Sequence, residues 1–470
     1  MCYELYEFDQ FMRSISMSEG LELANSKAEK ENLIQKDPET LETESLKHPD
    51  EPVVGFIYLG FVLNMCLNFV LQEVNYFNDV FGPNFGGRAS FAYSISNIIG
   101  QLIMIALPAD ISFTGRISIS CLLMGASMLA VPLMTFWSMD FTIFMVYGLV
   151  VVLGVSNAVL ASAAFGITGF CSEKIRRFFN MGVCVSGILV WPLMFVIDTM
   201  LGRMFGLSPR PKGQKLPCKM EMVSCLLVLS ISGLCFFATI PYFIFGLGKT
   251  RAVTGAIEKI KEKEKAKKPR NFGQVLLATM PMAAAVWNVM LLTFIALPGL
   301  MVQWLPSYDY RFKGENTYKE LVIFTFNVFD FLGRVCAVNW ITLSQAGVLI
   351  ASLSRWILIP FFFLAAANMT MFSSDIFKFL LQALFAGSYG VVMTWGMTHG
   401  PSQPGLHPEN ADLAGMIMSI VLVVGVMMGS LFSDVVSSIP SKLLRFEPYR
   451  RPCTVDPTMQ MLVCPVDPLT

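Results

Sequence analysis

An all-α membrane protein with eleven crossings is what this sequence predicts, and three observations predict it. Of its 470 residues, 54% are hydrophobic and only 14% are charged, where soluble domains carry about 25% charged residues. The mean hydropathy is +0.59. The apolar runs extend for about 20 residues or more without period-two alternation, which selects helices, because a backbone in lipid must satisfy its own hydrogen bonds.

Charge and cysteine usage narrow the function classes. With 34 basic and 34 acidic residues the formal charge is zero, so nucleic acid is not expected as a partner and membrane lipid is. The eleven cysteines form no CxxC pair, and His48, His399 and His407 lie far apart; no metal site, disulfide framework or cofactor is legible. No Walker-type loop appears, and no paired carboxylates or Ser/His arrangement falls within the spans, so neither an ATP-driven pump nor an enzyme is expected.

Residues 1–52 read as a polar N-terminal tail, with twelve acidic against five basic residues in the first fifty and no basic start or apolar core of a signal peptide. Spans are predicted at 53–77, 89–107, 116–136, 141–165, 178–201 and 222–247, and, after a connector, at 275–305, 318–341, 345–367, 376–397 and 413–436. The seventh is over-long, and Pro298 inside it predicts a kink. The organisation is therefore a six-helix bundle over 53–248, a Lys-rich loop over 249–272, a five-helix bundle over 273–436 and a C-terminal tail over 437–470.

Orientation follows from basic loops. Residues 249–270 hold nine Lys or Arg and three Glu, and Lys174, Arg176 and Arg177 crowd the connection after span four; the positive-inside rule places both in the cytoplasm. The N-terminal tail is then cytoplasmic and the C-terminus external, although Arg203, Arg210, Lys212, Lys215 and Lys219 after span five oppose this. Ile257 and Ile260 among the charges of the Lys-rich loop suit either an amphipathic helix on an anionic membrane surface or a solvated spacer between bundles. The sequon at Asn368 lies too close to a span end to suit a glycan.

Polar residues inside the spans carry the functional signal. Asn64, Asn68 and Gln72 line one stripe of span one at four-residue steps, and Asn97 and Gln101 repeat the spacing in span two. Amides in lipid either bond across helices or line a polar pathway. Glu73 and Asp198 near span ends suit headgroup contacts. Gly182, Ser186 and Gly187 in span five, and Gly425 and Gly429 in span eleven, permit close helix approach. The strongest signal is FTFNVFDFLGR at 324–334. Asp330 and Arg334 are four residues apart, so they share a helix face and can pair. A charge at bilayer depth costs about 2.5 to 3.5 kcal/mol on insertion scales, which turns such residues toward a bundle interior or a water-filled cavity. They act on a solute there or lock two helices together.

The span-eight stretch resembles the signature of the equilibrative nucleoside transporter family, an Asn, then Phe-Asp, then Gly-Arg. Other stretches agree in order: 60–77 with Asn68 and the closing Tyr76-Phe77, NAVLASAAFGITG from Asn157, Gly182 with Gly187, LTFIALPG from Leu292, Arg355 with Pro360 and Asn368, GSYG from Gly387, Gly400-Pro401, and AGMIM from Ala414. The resemblance implies a major-facilitator-like architecture with a central cavity opening alternately to either side. It also implies facilitative transport of nucleosides, with Asp330 and Arg334 on the ribose hydroxyls and Asn68 in the site, Asn64 and Leu71 lying one turn away. Two positions depart from the family pattern: Leu67 stands where a Trp commonly precedes that Asn, and Ala161 where a Gln helps read the base. Nucleobases are therefore admitted as substrates beside nucleosides. The implied protein is a multi-pass monomer, with the plasma membrane as its default location; alternatives are a carrier of another small solute such as an organic cation, and proton-coupled nucleoside transport.

Overall fold

The computed structural model describes residues 52–81, 85–106, 112–135, 142–205, 219–265, 272–301, 304, 306–307, 311–312, 315–316, 318–367, 369, 372–437, 454–456 and 461–463. The N-terminal tail, Asn368 and most of the C-terminal tail lie outside them. Eleven helical stretches among the described residues are long and apolar enough to cross a membrane. Span one is α1, Val53–Gln72, followed directly by a short α2, Val74–Phe81. Spans two to six are α3 (Phe85–Ala106), α4 (Phe113–Met134), α5 (Thr142–Gly169), α6 (Glu173–Met204) and α7 (Lys219–Phe245). The connector forms α8, Arg251–Lys265. Spans seven and eight are α9 (Phe272–Gly299) and α10 (Tyr318–Asn339); span nine is α11 (Gln345–Ser354) with α12 (Ile359–Ala366); spans ten and eleven are α13 (Asp375–His399) and α14 (Ala411–Ser437). Two short antiparallel strand pairs accompany them, Arg311–Phe312 with Glu315–Asn316 and Thr454–Asp456 with Met461–Val463.

Three details differ from the sequence expectation. Pro298 falls in the last turn of α9, one residue before the helix ends at Gly299, where a kink inside the span was expected. Span nine is interrupted by a 3-10 turn at Arg355–Leu358, just ahead of Pro360, whose missing N–H breaks the helical ladder at that point. Glu73 sits in the break between α1 and α2 and is 5% exposed, beside Cys225 of α7, so it lies inside the protein and not among headgroups.

The first half pairs α1 with α6, α3 with α5, and α4 with both α5 and α7; the second half pairs α9 with α14, α10 with α13, and α9 with α11. Small residues make these approaches close. A Cβ on Gly182 would strike the Ile57 carbonyl, and one on Gly60 the Phe179 carbonyl, so α1 and α6 touch backbone to backbone. Gly425 and Gly429 let α14 reach Trp287 and Leu291 of α9 in the same way. Outward faces are apolar: Ile99, Leu102 and Ile103 on α3, Val151 and Val155 on α5, and Ile350, Leu353 and Ile357 of span nine are all exposed, as lipid contact requires.

Two seams join the halves: α14 lies against α5 and α3, and α6 lies against α10 and α13. Helix α8 rests on α5 and on the turn at Pro408–Asn410, burying Val253, Ala256 and Ile260. Its apolar stripe is covered by protein, which answers both readings of this connector. The α5–α6 turn, the end of α10 and the residues after α13 gather at one end of the bundle through the contacts of Arg176 and Arg177. That gathering is the alternation an uninterrupted series of crossings produces.

Candidate functional site

The site is built on the α6–α10 seam, where the two halves meet. The helices run in opposite directions, and four contacts mark the length of the seam. Trp191 meets Phe324 at 4.7 Å between ring centroids. Asn327 Nδ2 donates to the Gly187 carbonyl at 3.0 Å. Arg334 Nη1 donates to the Asn180 carbonyl at 2.8 Å, and Arg177 Nη1 donates to the Val338 carbonyl at 3.3 Å.

Asp330 and Arg334 are paired as their spacing predicts. Arg334 Nε lies 2.8 Å from Asp330 Oδ1, and Nη2 lies 3.4 Å from Oδ2. Their residues are 5% and 3% exposed. Gly390 of α13 brings that helix onto the same turn, since a Cβ there would strike the Asp330 carbonyl. The Arg334 guanidinium also stands 5.5 Å from the Tyr389 ring centroid. The pair thus faces the closed seam between halves where an open cavity was expected, and one of its donors is already spent on the opposite half. A carboxylate acceptor beside a guanidinium donor suits vicinal hydroxyls, which donate to the first and accept from the second.

The span-one amides are turned to α6. Asn68 Nδ2 donates to Ser186 Oγ at 2.7 Å, and Asn64 Nδ2 to the Val183 carbonyl at 3.3 Å. Asn97 and Gln101 bond each other at 2.6 Å. No hydrogen bond or ion pair among the described residues joins Asn64, Asn68, Leu67 or Ala161 to Asp330 or Arg334. Leu67 is half-buried and lines an apolar cavity of about 40 Å³ with Cys66, Val70, Phe77, Tyr93 and Leu153. Ala161 is buried within α5. Leu71 belongs to α1, and its side chain lies outside the described residues. Small-molecule sites measure roughly 300 to 1,000 Å³, so the cavity beside Leu67, which lies within the first half, is too small to hold a nucleoside.

Two groups were not singled out as site residues by sequence reasoning. Arg355 is 1% exposed, and the cue, a full charge inside an apolar run, was the same one that exposed Asp330. Arg176 is the other. Its Nη1 donates to the Gly169 and Cys171 carbonyls, at 3.1 Å each, while Nη2 reaches Ser402 Oγ across the halves. Arg177 adds a contact 5.1 Å from the Trp395 ring. At the same end Gly169 and Gly415 bring α5 against the start of α14, opposite Ala411 and below Phe165. This end is closed by arginines of the first half gripping the second. Replacing Arg176 with Ala should loosen it: a thiol at Gln403→Cys, a position 6% exposed beside that contact, is expected to react with a charged methanethiosulfonate about tenfold faster in that background, the loss of one charge-assisted bond. Equal labelling rates in both backgrounds would remove Arg176 from the closure.

Solved structures with similar architecture place the fold. The xylose symporter XylE of E. coli, a proton:xylose symporter of the major facilitator superfamily bound to 6-bromo-6-deoxy-D-glucose, superposes with a TM-score of 0.56 at 11% identity, over 83% of this chain and 88% of that one. A double-tryptophan variant of XylE gives 0.53 at 12% identity over 83% and 87%. The chain shares the fold of these major-facilitator structures. Residues 247–437 match the family described as nucleoside transporter. Nucleoside transporter 1.2 of Leishmania donovani is 25% identical over 155 residues, covering 32% of this chain and 30% of the relative. Equilibrative nucleoside transporter 4 of Danio rerio is 25% identical over 173 residues, covering 33% and 30%. The family match lies in the second half of the chain, and both relatives are nucleoside transporters by name. The aligned stretches span less than a third of each relative's own length.

Proposed function

We propose that the chain carries nucleosides, and nucleobases beside them, across a membrane by alternating access, with Asp330 and Arg334 as the groups that engage the sugar. One observation supports this reading most directly: the pair is buried at the seam of the two halves, and Arg334 donates to the Asn180 carbonyl of the opposite half. A ribose hydroxyl that took the place of that carbonyl would release the halves from each other at the point where it binds. Binding and conformational change would then share one donor.

Asp330 accepts hydroxyl protons in this scheme and Arg334 donates to hydroxyl oxygens. Asn68, fixed by Ser186, holds α1 to the moving α6. Leu67 and Ala161 offer no polar group to a base, which favours a broad base range. The basic end, with Arg176, Arg177 and α8, is assigned to the cytoplasm and the protein to the plasma membrane as a monomer. Radiolabelled uptake in cells lacking endogenous carriers, with adenosine, inosine, uridine and hypoxanthine side by side, tests the reading. Saturable uptake of the nucleosides, competed by one another, is expected. Hypoxanthine uptake without any nucleoside uptake would move the site away from ribose, and failure of all four would sink it.

A further inference from the structure

Around Tyr389 the structure places two buried guanidiniums and a single carboxylate. Arg334 stands 5.5 Å from the ring centroid and Arg355 stands 5.6 Å from it. Arg334 is paired with Asp330. Arg355, among the described residues, has no ion-pair partner. It donates from Nη1 to the Val289 carbonyl at 3.1 Å, and from Nη2 to Thr293 Oγ1 at 3.1 Å and to the Phe385 carbonyl at 3.2 Å, and it stacks 4.0 Å from the Phe385 ring. Its Nε is buried and has no hydrogen-bond partner among the described residues. A charge taken out of water without a counter-ion is costly, and an apolar side chain of similar volume would hold three helices together at lower cost. The 3-10 turn that carries Arg355 breaks span nine to bring it there.

We propose that Arg355 is a positioning residue for solute binding, a fixed positive charge beside Tyr389 that keeps the Asp330 carboxylate in place while Arg334 turns from it to the solute. The proposal rests on the reading of Asp330 and Arg334 as the solute-binding pair. When Arg334 is shared with a hydroxyl oxygen, Asp330 loses part of its counter-charge at the moment it must accept a proton in a hydrogen bond. Arg355, beside the same ring, attracts Asp330 electrostatically. It cannot leave, because its donors are committed to α9 and α13. The titratable and charged groups facing Asp330 are Arg334 on its own helix, Tyr389 on α13, Cys184 on α6 and Arg355 on span nine. Of these, Arg355 is the full charge that is not a member of the pair, and its donors are held by α9 and α13.

The test compares uridine uptake, normalised to surface protein, across external pH for the unmodified chain, Arg355→Gln and Arg355→Lys. Arg355→Gln is expected to raise KM about tenfold, the scale of one lost charge interaction, and to move the acid limb of the uptake profile toward neutral pH. Arg355→Lys keeps the charge and should keep the profile, even where lost stacking on Phe385 lowers expression. A Gln variant with unchanged KM and profile overturns the proposal, as does a Lys variant whose profile shifts like that of Gln. If Gln fails to reach the surface, the Lys profile alone decides between these outcomes. An unmodified chain that carries no nucleoside overturns the functional reading, and this proposal with it, so the two failures are told apart by the first curve.

Discussion

Asp330→Ala is expected to leave nucleoside uptake at background, and Asp330→Asn to come close to it. The carboxylate is both the acceptor for a sugar hydroxyl and the counter-charge of Arg334, which is 3% exposed. Removing one partner of such a pair costs about 3 to 5 kcal/mol, because the other charge is left buried alone. Asn preserves shape and hydrogen bonding at 2.8 Å from Arg334 Nε but not the charge. Uptake per surface molecule should therefore fall at least about 100-fold in both variants. A variant that reaches the surface and transports within about twofold of the unmodified chain would show that the pair only locks helices.

The second large effect is expected at Gly390. A Cβ there would strike the Asp330 carbonyl and would lie 2.9 Å from both Arg334 N and Asp330 Oδ1. Helix α13 would have to withdraw from α10, taking Tyr389 and the Phe385 carbonyl with it. Forcing atoms into a packed contact costs about 1 to 3 kcal/mol, occasionally more, and here it also displaces the acid and the cation. Gly390→Ala should lower thermal stability in detergent and remove most uptake. Gly387, one turn earlier, provides the control, because a Cβ there meets only the Phe329 carbonyl at 3.9 Å, an ordinary contact. If Gly387→Ala and Gly390→Ala behave alike, close approach at the acid is not what the glycine provides.

Much of the architecture was legible because lipid imposes it. Hydropathy is summed over about twenty residues, so all eleven apolar helices among the described residues could be read. Hydropathy is blind to the hydrogen bonding of a single turn, and the breaks at Glu73 and at Arg355–Leu358 went unseen for that reason. The Asp330–Arg334 pair was readable because four-residue spacing is a local property of a helix. Its surroundings were not, because they depend on contacts between residues far apart in the chain: Arg334 with Asn180 across 154 positions and Asn327 with Gly187 across 140. The span-one amides show the same limit. Their shared stripe followed from periodicity, but only packing could reveal that Asn64 and Asn68 donate to α6. Likewise Ile257 and Ile260 marked an amphipathic helix, while what covers its stripe was a tertiary matter.

Helix α8 lies in the connector between the first six spans and the last five, and it is docked on α5 and the 408–410 turn, with Val253, Ala256 and Ile260 buried. Burying a Val or Ile side chain is worth about 1.5 to 3 kcal/mol each. Any swing that parts the bundles on this side must first peel the tether from one of its two moorings. The connector thereby sets a threshold on how often that gap forms, and its apolar residues, which touch no solute, become a means of tuning turnover.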